Sequence, residues 1–461
     1  MKRTILLVIV ALSLLGGAAI TAASAAQAPN IIIILADDLG YADLGCYGHP
    51  SIRTPNLDRM AAEGLRFTDF YSGAPLCTPS RAALLTGRLA IRSGMAGGPG
   101  RHVLYPNNPG GLPAEEITIA GALKTKGYAT CAIGKWHLGD LPDYLPTQRG
   151  FDWFFGLPYS NDSDWVNPQL RKTESMTQNP DFHSFNVPLM RGTQIIERPV
   201  DQTTLTKRYT EEAIRFMEQN RKQPFFLYFA HTFPHVPLFA SPRFKGTSPR
   251  GRYGDAVEEV DWSVGQILQW LHQEKLDQNT FVIFTSDNGP WLGKKWNGGS
   301  AGTLRDGKAG TWEGGYRVPA IARWPGKIPV GVTHEIASGM DLFTTSLRLA
   351  GVEVPTDRPI DGVDMAPILF SAGRSKRLVE YYYYGDQLYA VRKGPFKAHF
   401  TTHDGYSKEE PVKHDPPQLF NLPEDPAERF DVAAEHSEVV AELTKIAQEH
   451  RATVTRGKLQ Y

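Results

Sequence analysis

Short unbroken apolar runs recur along the chain, and each stops abruptly at a polar cluster. Asn30–Ala36 (NIIIILA) ends in Asp37-Asp38-Leu39-Gly40, and Tyr128–Ile133 ends in GKWHLG. PFFLYFA ends in HTFPHVP, and FVIFT ends in SDNG. Between these runs the period changes to a helical one. Ile117–Lys126 reads as a helix stopped by Gly127, Thr204–Asn220 as another, and Val257, Val260, Val264, Ile267, Leu268 and Leu271 recur at helical spacing. Continuous apolar strands alternating with helices predict an α/β fold, a mostly parallel sheet sandwiched by helices. From about residue 373 the pattern shortens to LVEYYYYG, LYAVRKG and FKAHFTTHDG, with a closing amphipathic helix over Ser437–Arg451. That predicts a smaller C-terminal α+β domain on an antiparallel sheet, residues 373–461, after a larger domain at 26–372.

The polar residues fall at strand ends. In open α/β sheets ligands bind beyond the carboxyl ends of the strands. Asp37, Asp38, Lys135, His137, His235, Asp287 and Asn288 are therefore expected to face one crevice.

Composition narrows the classes. The 461 residues carry 49 Lys+Arg against 49 Asp+Glu, which gives no electrostatic case for a nucleic-acid or anionic-membrane partner. Lys2 and Arg3, the apolar run Ile5–Leu15 and the small residues Ala23-Ser24-Ala25 predict a cleavable export signal over residues 1–25. The run is short of the ~20 residues that span a bilayer, so the mature chain is expected to be secreted or periplasmic and free of the membrane. With three cysteines a disulfide scaffold is not indicated; Cys131 reads as a buried hydrophobe, and pairing with Cys46 is left open.

Two acidic tips offer oxygen donors alone, the preference of a hard divalent cation such as calcium or magnesium, and no zinc-type Cys/His spacing is present. Lys135 and His137 alternate, so an extended segment would point both to one side. Lys308 lies in the glycine-rich LRDGKAGTWEGG, and His231 and His235 in the same short tip. In CTPSRAALLTGR, Thr78 is a candidate N-cap and Pro79 suits the first helical position. Cys77 would then stand at the positive end of a helix dipole with Arg81 reaching back, a nucleophile site prepared for negative charge. A buried thiol that happens to precede a helix is the competing reading.

Cys77-Thr78-Pro79-Ser80-Arg81, continued as AALLTGR, resembles the signature of the type I sulfatases, in which C-x-P-S-R directs oxidation of the cysteine to formylglycine (3-oxoalanine). ADDLGYADLGCYG, GKWHLG, PHVP, SDNGP, GKAGTWEGGYRVPAI, DGVDMAPIL and LFNLPEDPAERF agree in the family's order, and GLPYS and YAVRKGPFKAHF lean toward the arylsulfatase A and N-acetylgalactosamine-6-sulfatase branch. The resemblance implies an alkaline-phosphatase-like fold and hydrolysis of sulfate esters, on sulfated carbohydrates and on aryl sulfates. It implies one Ca²⁺ held by Asp37, Asp38, Asp287 and Asn288 with the modified Cys77 beside it. Arg81 and His137 would hold the formylglycine hydrate, and Lys135 and Lys308 the sulfate oxygens. His235 would protonate the leaving alcohol, and Ser160 would line the sulfate pocket. A formylglycine-generating or equivalent enzyme would be a maturation partner.

Two other readings stay open from sequence: a phosphate or phosphonate monoester hydrolase of the same superfamily, and a catalytically silent carbohydrate-binding homologue. Two departures bear on the pocket wall. Ala309 follows Lys308 where the family commonly has glycine, and Asn161 follows GLPYS where the branch often has histidine. Loops Asn161–Gly192 and Trp291–Asp306 are expected to carry specificity. The sugar, the sulfate position and the oligomeric state are not readable.

Overall fold

The structure, a computed structural model, describes residues 28–98, 100–169 and 180–461. The expected export signal lies outside these residues, as do positions 170–179 of the first specificity loop.

At the centre of the fold is the strand Asn30–Ala36. It pairs in parallel with Phe225–Ala230 on one side and Thr280–Ser286 on the other, with Ile32 opposite Leu227 and Val282. Ala129–Lys135 and then Trp153–Leu157 extend the parallel set. Antiparallel strands flank it, Ala320–Arg323 beside Thr280–Ser286 and Leu189–Arg191 beside Trp153–Leu157, within one ten-stranded sheet.

Why the run NIIIILA sits here follows from its two apolar faces. Ile31, Ile33 and Leu35 enter one core, Ile32 and Ile34 another, and all five are fully buried. At about 1.5–3 kcal/mol per buried aliphatic side chain, only a strand covered on both sides gains from such a sequence. The first core is closed by helices Cys77–Thr86, Ile119–Lys124 and Asp341–Leu349. The second is closed by Pro55–Ala62, Leu205–Asn220 and Gly251–Gln273. Thr118 caps the short helix Ile119–Lys124 by accepting from the Gly121 N–H. The expected helices thus appear within a few residues of their predicted ends, and the sheet is mixed but mostly parallel.

The C-terminal sheet is antiparallel, in the order Val379–Tyr384, Gln387–Lys393, Phe396–Thr402, Val412–Asn421, with helix Ser437–Thr453 against it. The fourth strand was not anticipated. It contains Pro416 and Pro417, and it lies on the sheet edge, where missing donors are tolerated. Tyr383, Leu388, Val391, Ala398, Leu419, Leu443 and Ala447 join the first core of the large sheet, so the two sheets share one apolar interior.

Two local expectations fail. Thr78 does not cap its helix, which begins at Cys77 after Leu76. Its hydroxyl instead donates to the His137 carbonyl (3.1 Å) and accepts from the Leu104 N–H (3.1 Å). The strand ends at Lys135, and His137 adopts a left-handed φ of 59°, so the simple alternation of Lys135 and His137 is broken.

Candidate active site

The parallel strands deliver their polar ends to one edge, and backbone bonds bind these ends together. The Asp287 N–H donates to Ala36 (3.1 Å), His231 to Leu35 (2.8 Å), and Trp136 to Leu157 (2.9 Å). Segments more than two hundred residues apart meet as a result. The Asp38 N–H donates to Asp287 Oδ1 (3.1 Å), and Asn288 Nδ2 to Asp38 Oδ1 (2.7 Å).

Helix Cys77–Thr86 enters this edge with every residue buried. Cys77 Sγ lies 3.5 Å from Asp37 Oδ1 and 4.0 Å from Asp38 Oδ1. Arg81 reaches past it: Nε donates to Asp287 Oδ2 (2.9 Å), Nη1 to the Lys135 carbonyl (2.7 Å), and Nη2 stands 3.6 Å from Asp37. Lys135 Nζ pairs with Asp37 Oδ2 at 2.6 Å, and Lys308 Nζ with Asp38 Oδ1 at 2.7 Å. His235 Nε2 is 3.6 Å from Asp38 Oδ2. Three carboxylates and three cations thus interlock out of water, an arrangement that costs several kcal/mol per ion unless every charge is met.

Some valences are not met. Asn288 Oδ1, His137 Nδ1 and Ser160 Oγ are buried without a hydrogen-bond partner. Each would cost about 1–3 kcal/mol if left so, which marks the cluster as built for something else to occupy it.

Electrostatics sort the groups into roles. Burial pushes Asp37 up to about 7 despite Lys135, and raises Asp38 despite Lys308. At Asp287 burial acts the same way, but Arg81, Lys135 and Lys308 outweigh it and hold the carboxyl low. Burial also drives His137 and His235 well below the ordinary imidazole range, and the lysine charges add to it. His137 Nε2 faces the Leu104 carbonyl (2.9 Å) and His235 Nδ1 faces that of Val236. A carbonyl can only accept, so each neutral ring carries its proton there and keeps its lone pair on the other nitrogen. Cys77 behaves differently from the dipole argument. Burial pushes its thiol far up, and Lys135 and Lys308 do not offset it. Burial thus outweighs both lysines at this position and favours the protonated thiol.

Asp37, Asp38, Cys77 and His235 offer donor atoms that all lie within 4.8 Å of one another. Asp287 and Asn288 flank this group, Asp287 with its oxygens on Arg81 and the Asp38 amide, Asn288 with a spare buried oxygen. The donor set is rich in oxygen and fits a hard divalent ion. His235 as a neighbour of that ion was not foreseen.

Lys308 owes its position to a tight loop. The Ala309 N–H donates to Pro75 (2.9 Å), tying the loop to the approach to Cys77. Ala309 does so at a φ of 70°, a left-handed conformation that costs an alanine about 1–2 kcal/mol and glycine almost nothing. Asn161, the second departure, donates to Gln202 Oε1 (3.0 Å) and to the Pro237 carbonyl (3.3 Å), bracing the loop that carries His235. Two aromatic residues stand beside the site, one opening the expected specificity loop Trp291–Asp306 and one that the sequence reading did not name. Trp291 directly follows the SDNGP tip, and its ring sits 4.7 Å from Lys308 Nζ and 5.7 Å from the His235 ring. Tyr406 stacks on Trp291 from a C-terminal segment with no motif to announce it. The three cysteines are free thiols, so Cys46 and Cys131 are not bridged.

The mixed, mostly parallel sheet with its charged strand ends on one edge is of the alkaline-phosphatase-like fold class, in which that edge is where ligands bind. The chain belongs within it to the sulfatase family. The sulfatase family model matches residues 29–352, and that of the C-terminal region of aryl-sulfatase matches 375–461. The sequence is 43% identical to the N-acetylgalactosamine-6-sulfatase of Canis lupus familiaris, over 97% of this chain and 91% of that protein. It is 44% identical to the arylsulfatase A of Homo sapiens, over 88% of this chain and 84% of the relative. The crystal structure of a sulfatase from Pseudoalteromonas sp. superposes with a TM-score of 0.82 at 32% identity, covering 93% of this chain and 90% of that one. The protein is a sulfuric ester hydrolase, and these comparisons do not favour the phosphate-ester and silent readings.

Proposed function

We propose that the protein hydrolyses sulfate esters of carbohydrates, with aryl sulfates as surrogates, using one Ca²⁺ and a formylglycine formed from Cys77. The observation that carries this reading is the state of Cys77. A neutral, buried thiol 3.5 Å from Asp37 is a poor nucleophile, yet it sits where three cations and three carboxylates converge. Oxidation to an aldehyde, hydrated in place, would supply two hydroxyls on one carbon, one to attack sulfur and one whose deprotonation later expels the sulfate. Asp37, Asp38, Asp287 and Asn288 would hold the calcium, which when bound draws off negative charge from the sulfate oxygens.

The side chains have work matched to their surroundings. Lys135 and Lys308, fixed cations with raised pKa, would hold the sulfate oxygens where charge develops. Arg81, fixed by Asp287 and the Lys135 carbonyl, would hold the formylglycine hydrate. His137, with Nε2–H spent on Leu104, keeps Nδ1 as the base that takes the hydrate proton. His235 presents Nε2. It acts on the leaving alcohol as an acid only once the anionic ester has raised its proton affinity above the anion-free state. Ser160 Oγ, buried without a partner, would line the sulfate pocket.

A carbohydrate substrate is supported by the naming of the relative as an N-acetylgalactosamine-6-sulfatase. Release outside the cytoplasm is supported by the export-type segment 1–25, and no helix among the described residues is long and apolar enough to cross a membrane. Maturation of Cys77 would need a formylglycine-generating or equivalent enzyme, and the division at residues 372/373 would separate the catalytic domain from the C-terminal one. The test is Cys77→Ser. It should lower steady-state turnover of 4-nitrophenyl sulfate on the order of 10⁴-fold. Mass spectrometry of the variant should also find sulfate retained as an ester on the introduced hydroxyl at position 77. A serine variant that turns over many times, or a wild type that prefers the phosphate ester, would overturn the reading.

A further inference from the structure

Tyr406 is a large aromatic residue held in a costly conformation beside the cleft. Its φ is 59°, left-handed for a residue with a bulky side chain, and 48% of its surface is exposed. Three anchors hold its segment in place. The Gly405 N–H donates to Asp306 Oδ2 (2.7 Å), the Trp312 indole to Asp404 Oδ1 (2.8 Å), and the Ser407 N–H to the Asp404 carbonyl (3.0 Å). Gly405 itself lies so close to the Lys308 loop that a Cβ there would sit 2.2 Å from the Lys308 carbonyl oxygen. The tyrosine is therefore fixed relative to Lys308 by backbone contact.

Its ring stacks on Trp291, centroids 5.0 Å apart and planes 22° from parallel. Trp291 in turn lies 4.7 Å from Lys308 Nζ and has Lys294 Nζ 4.1 Å from its ring centre. Burial raises the pKa of the Tyr406 hydroxyl, and the charge of Lys308 opposes that rise. Backed by Trp291, whose own ring meets Lys308 and Lys294, the exposed Tyr406 has no core-packing role that explains its position.

We propose that Tyr406, supported by Trp291, is the stacking residue for the ring of the leaving alcohol, and so selects cyclic leaving groups. This rests on the sulfatase reading of the same cleft. Pyranose rings present a C–H face and aryl esters a π face; both are matched by a flat aromatic platform, and a bare inorganic anion is matched by neither.

The experiment compares a ring-bearing ester with a ringless anion on the full-length protein. For 4-nitrophenyl sulfate, and for a galactose 6-sulfate substrate, Tyr406→Ala should raise KM about tenfold with kcat within about twofold. The inhibition constant for inorganic sulfate should stay unchanged, Tyr406→Phe should resemble wild type, and Trp291→Ala should reproduce the KM effect in part. An unchanged KM in Tyr406→Ala overturns the proposal. So does an inhibition constant that rises in step with KM, or a Tyr406→Phe protein as impaired as the alanine variant. If wild type preferred the phosphate ester, the sulfate reading would fall, and the same comparison with 4-nitrophenyl phosphate and inorganic phosphate would still decide the role of Tyr406.

Discussion

Two of the buried charge clusters in this molecule differ in what they leave unbonded. At the sheet edge, Asp37, Asp38 and Asp287 face Arg81, Lys135 and Lys308, with Asn288 Oδ1, His137 Nδ1 and Ser160 Oγ lacking partners. At the junction with the C-terminal sheet, Glu313 and Glu428 face Lys397, and both oxygens of each glutamate are engaged. Glu313 accepts from Tyr71 (2.6 Å), Tyr382 (3.0 Å) and Lys397 (3.0 Å). Glu428 accepts from the Glu313 N–H (2.6 Å) and meets His399 Nε2 (2.7 Å) and Lys397 Nζ (3.0 Å). Burial opposes ionisation of Glu313, but Lys397, Arg392 and Arg317 outweigh it and hold the carboxyl at about 2. The second cluster satisfies every carboxylate oxygen and leaves His399 Nδ1 as its unpartnered ring nitrogen, whereas the first leaves an amide oxygen and a ring nitrogen beside its carboxylates, as a site awaiting a ligand would. The second cluster also serves the first, because Lys397 Nζ donates to the Thr311 carbonyl (2.9 Å) in the loop that carries Lys308.

The contrast is breakable by substitution. Lys308→Ala should reduce kcat/KM for an aryl sulfate roughly 10²–10³-fold, the usual loss for one donor at a developing oxyanion. Its melting temperature with calcium present should move less than that of Lys397→Met. If Lys308→Ala mainly unfolded the protein, the sheet-edge cluster would be structural and the distinction would fail.

Lys397→Met should act the other way. It leaves the buried Glu428 without a cationic partner and takes one of three cations from Glu313, at a cost of about 3–5 kcal/mol in urea denaturation, with Glu428→Gln in the same chain recovering part of the loss. Activity should fall less than in Lys308→Ala, through a loosened Lys308 loop. A neutral stability effect would show that the charge is not needed there.

The smallest effect sharpens the metal assignment. Asp37 is raised to about 7, so below that pH the metal-free fold keeps a proton on it that a cation must displace. Calcium affinity should therefore rise with pH from about 5 to 7, by at most about tenfold per pH unit, and level off above. Titration calorimetry in buffers of different ionisation heat should register proton release at pH 6 and less at pH 8. No proton release at pH 6 would show that Lys135 and Arg81 already keep Asp37 ionised in the metal-free fold.

Much of this was legible along the chain. The apolar runs of Asn30–Ala36, Phe225–Ala230 and Thr280–Ser286 announce doubly covered strands, and a parallel sheet leaves their polar ends on one edge. That is why Asp37, Lys135, His235 and Asp287 could be grouped unseen. Thr78 misled because a residue suited to capping was recruited by Leu104 and His137 from other segments. Tyr406 and Lys397 were invisible for a related reason: each matters through a partner that no local pattern names.

Sequence alone determined the strand-and-helix alternation, the identity of the charged strand ends and the family, because these depend on residue type and near-neighbour spacing. Tertiary structure alone decided that burial outweighs the lysines at the Cys77 thiol, which polar atoms remain unbonded, and that a C-terminal tyrosine stacks on Trp291. Desolvation, pairing and close approach are properties of the surrounding volume, and that volume is assembled from segments hundreds of residues apart.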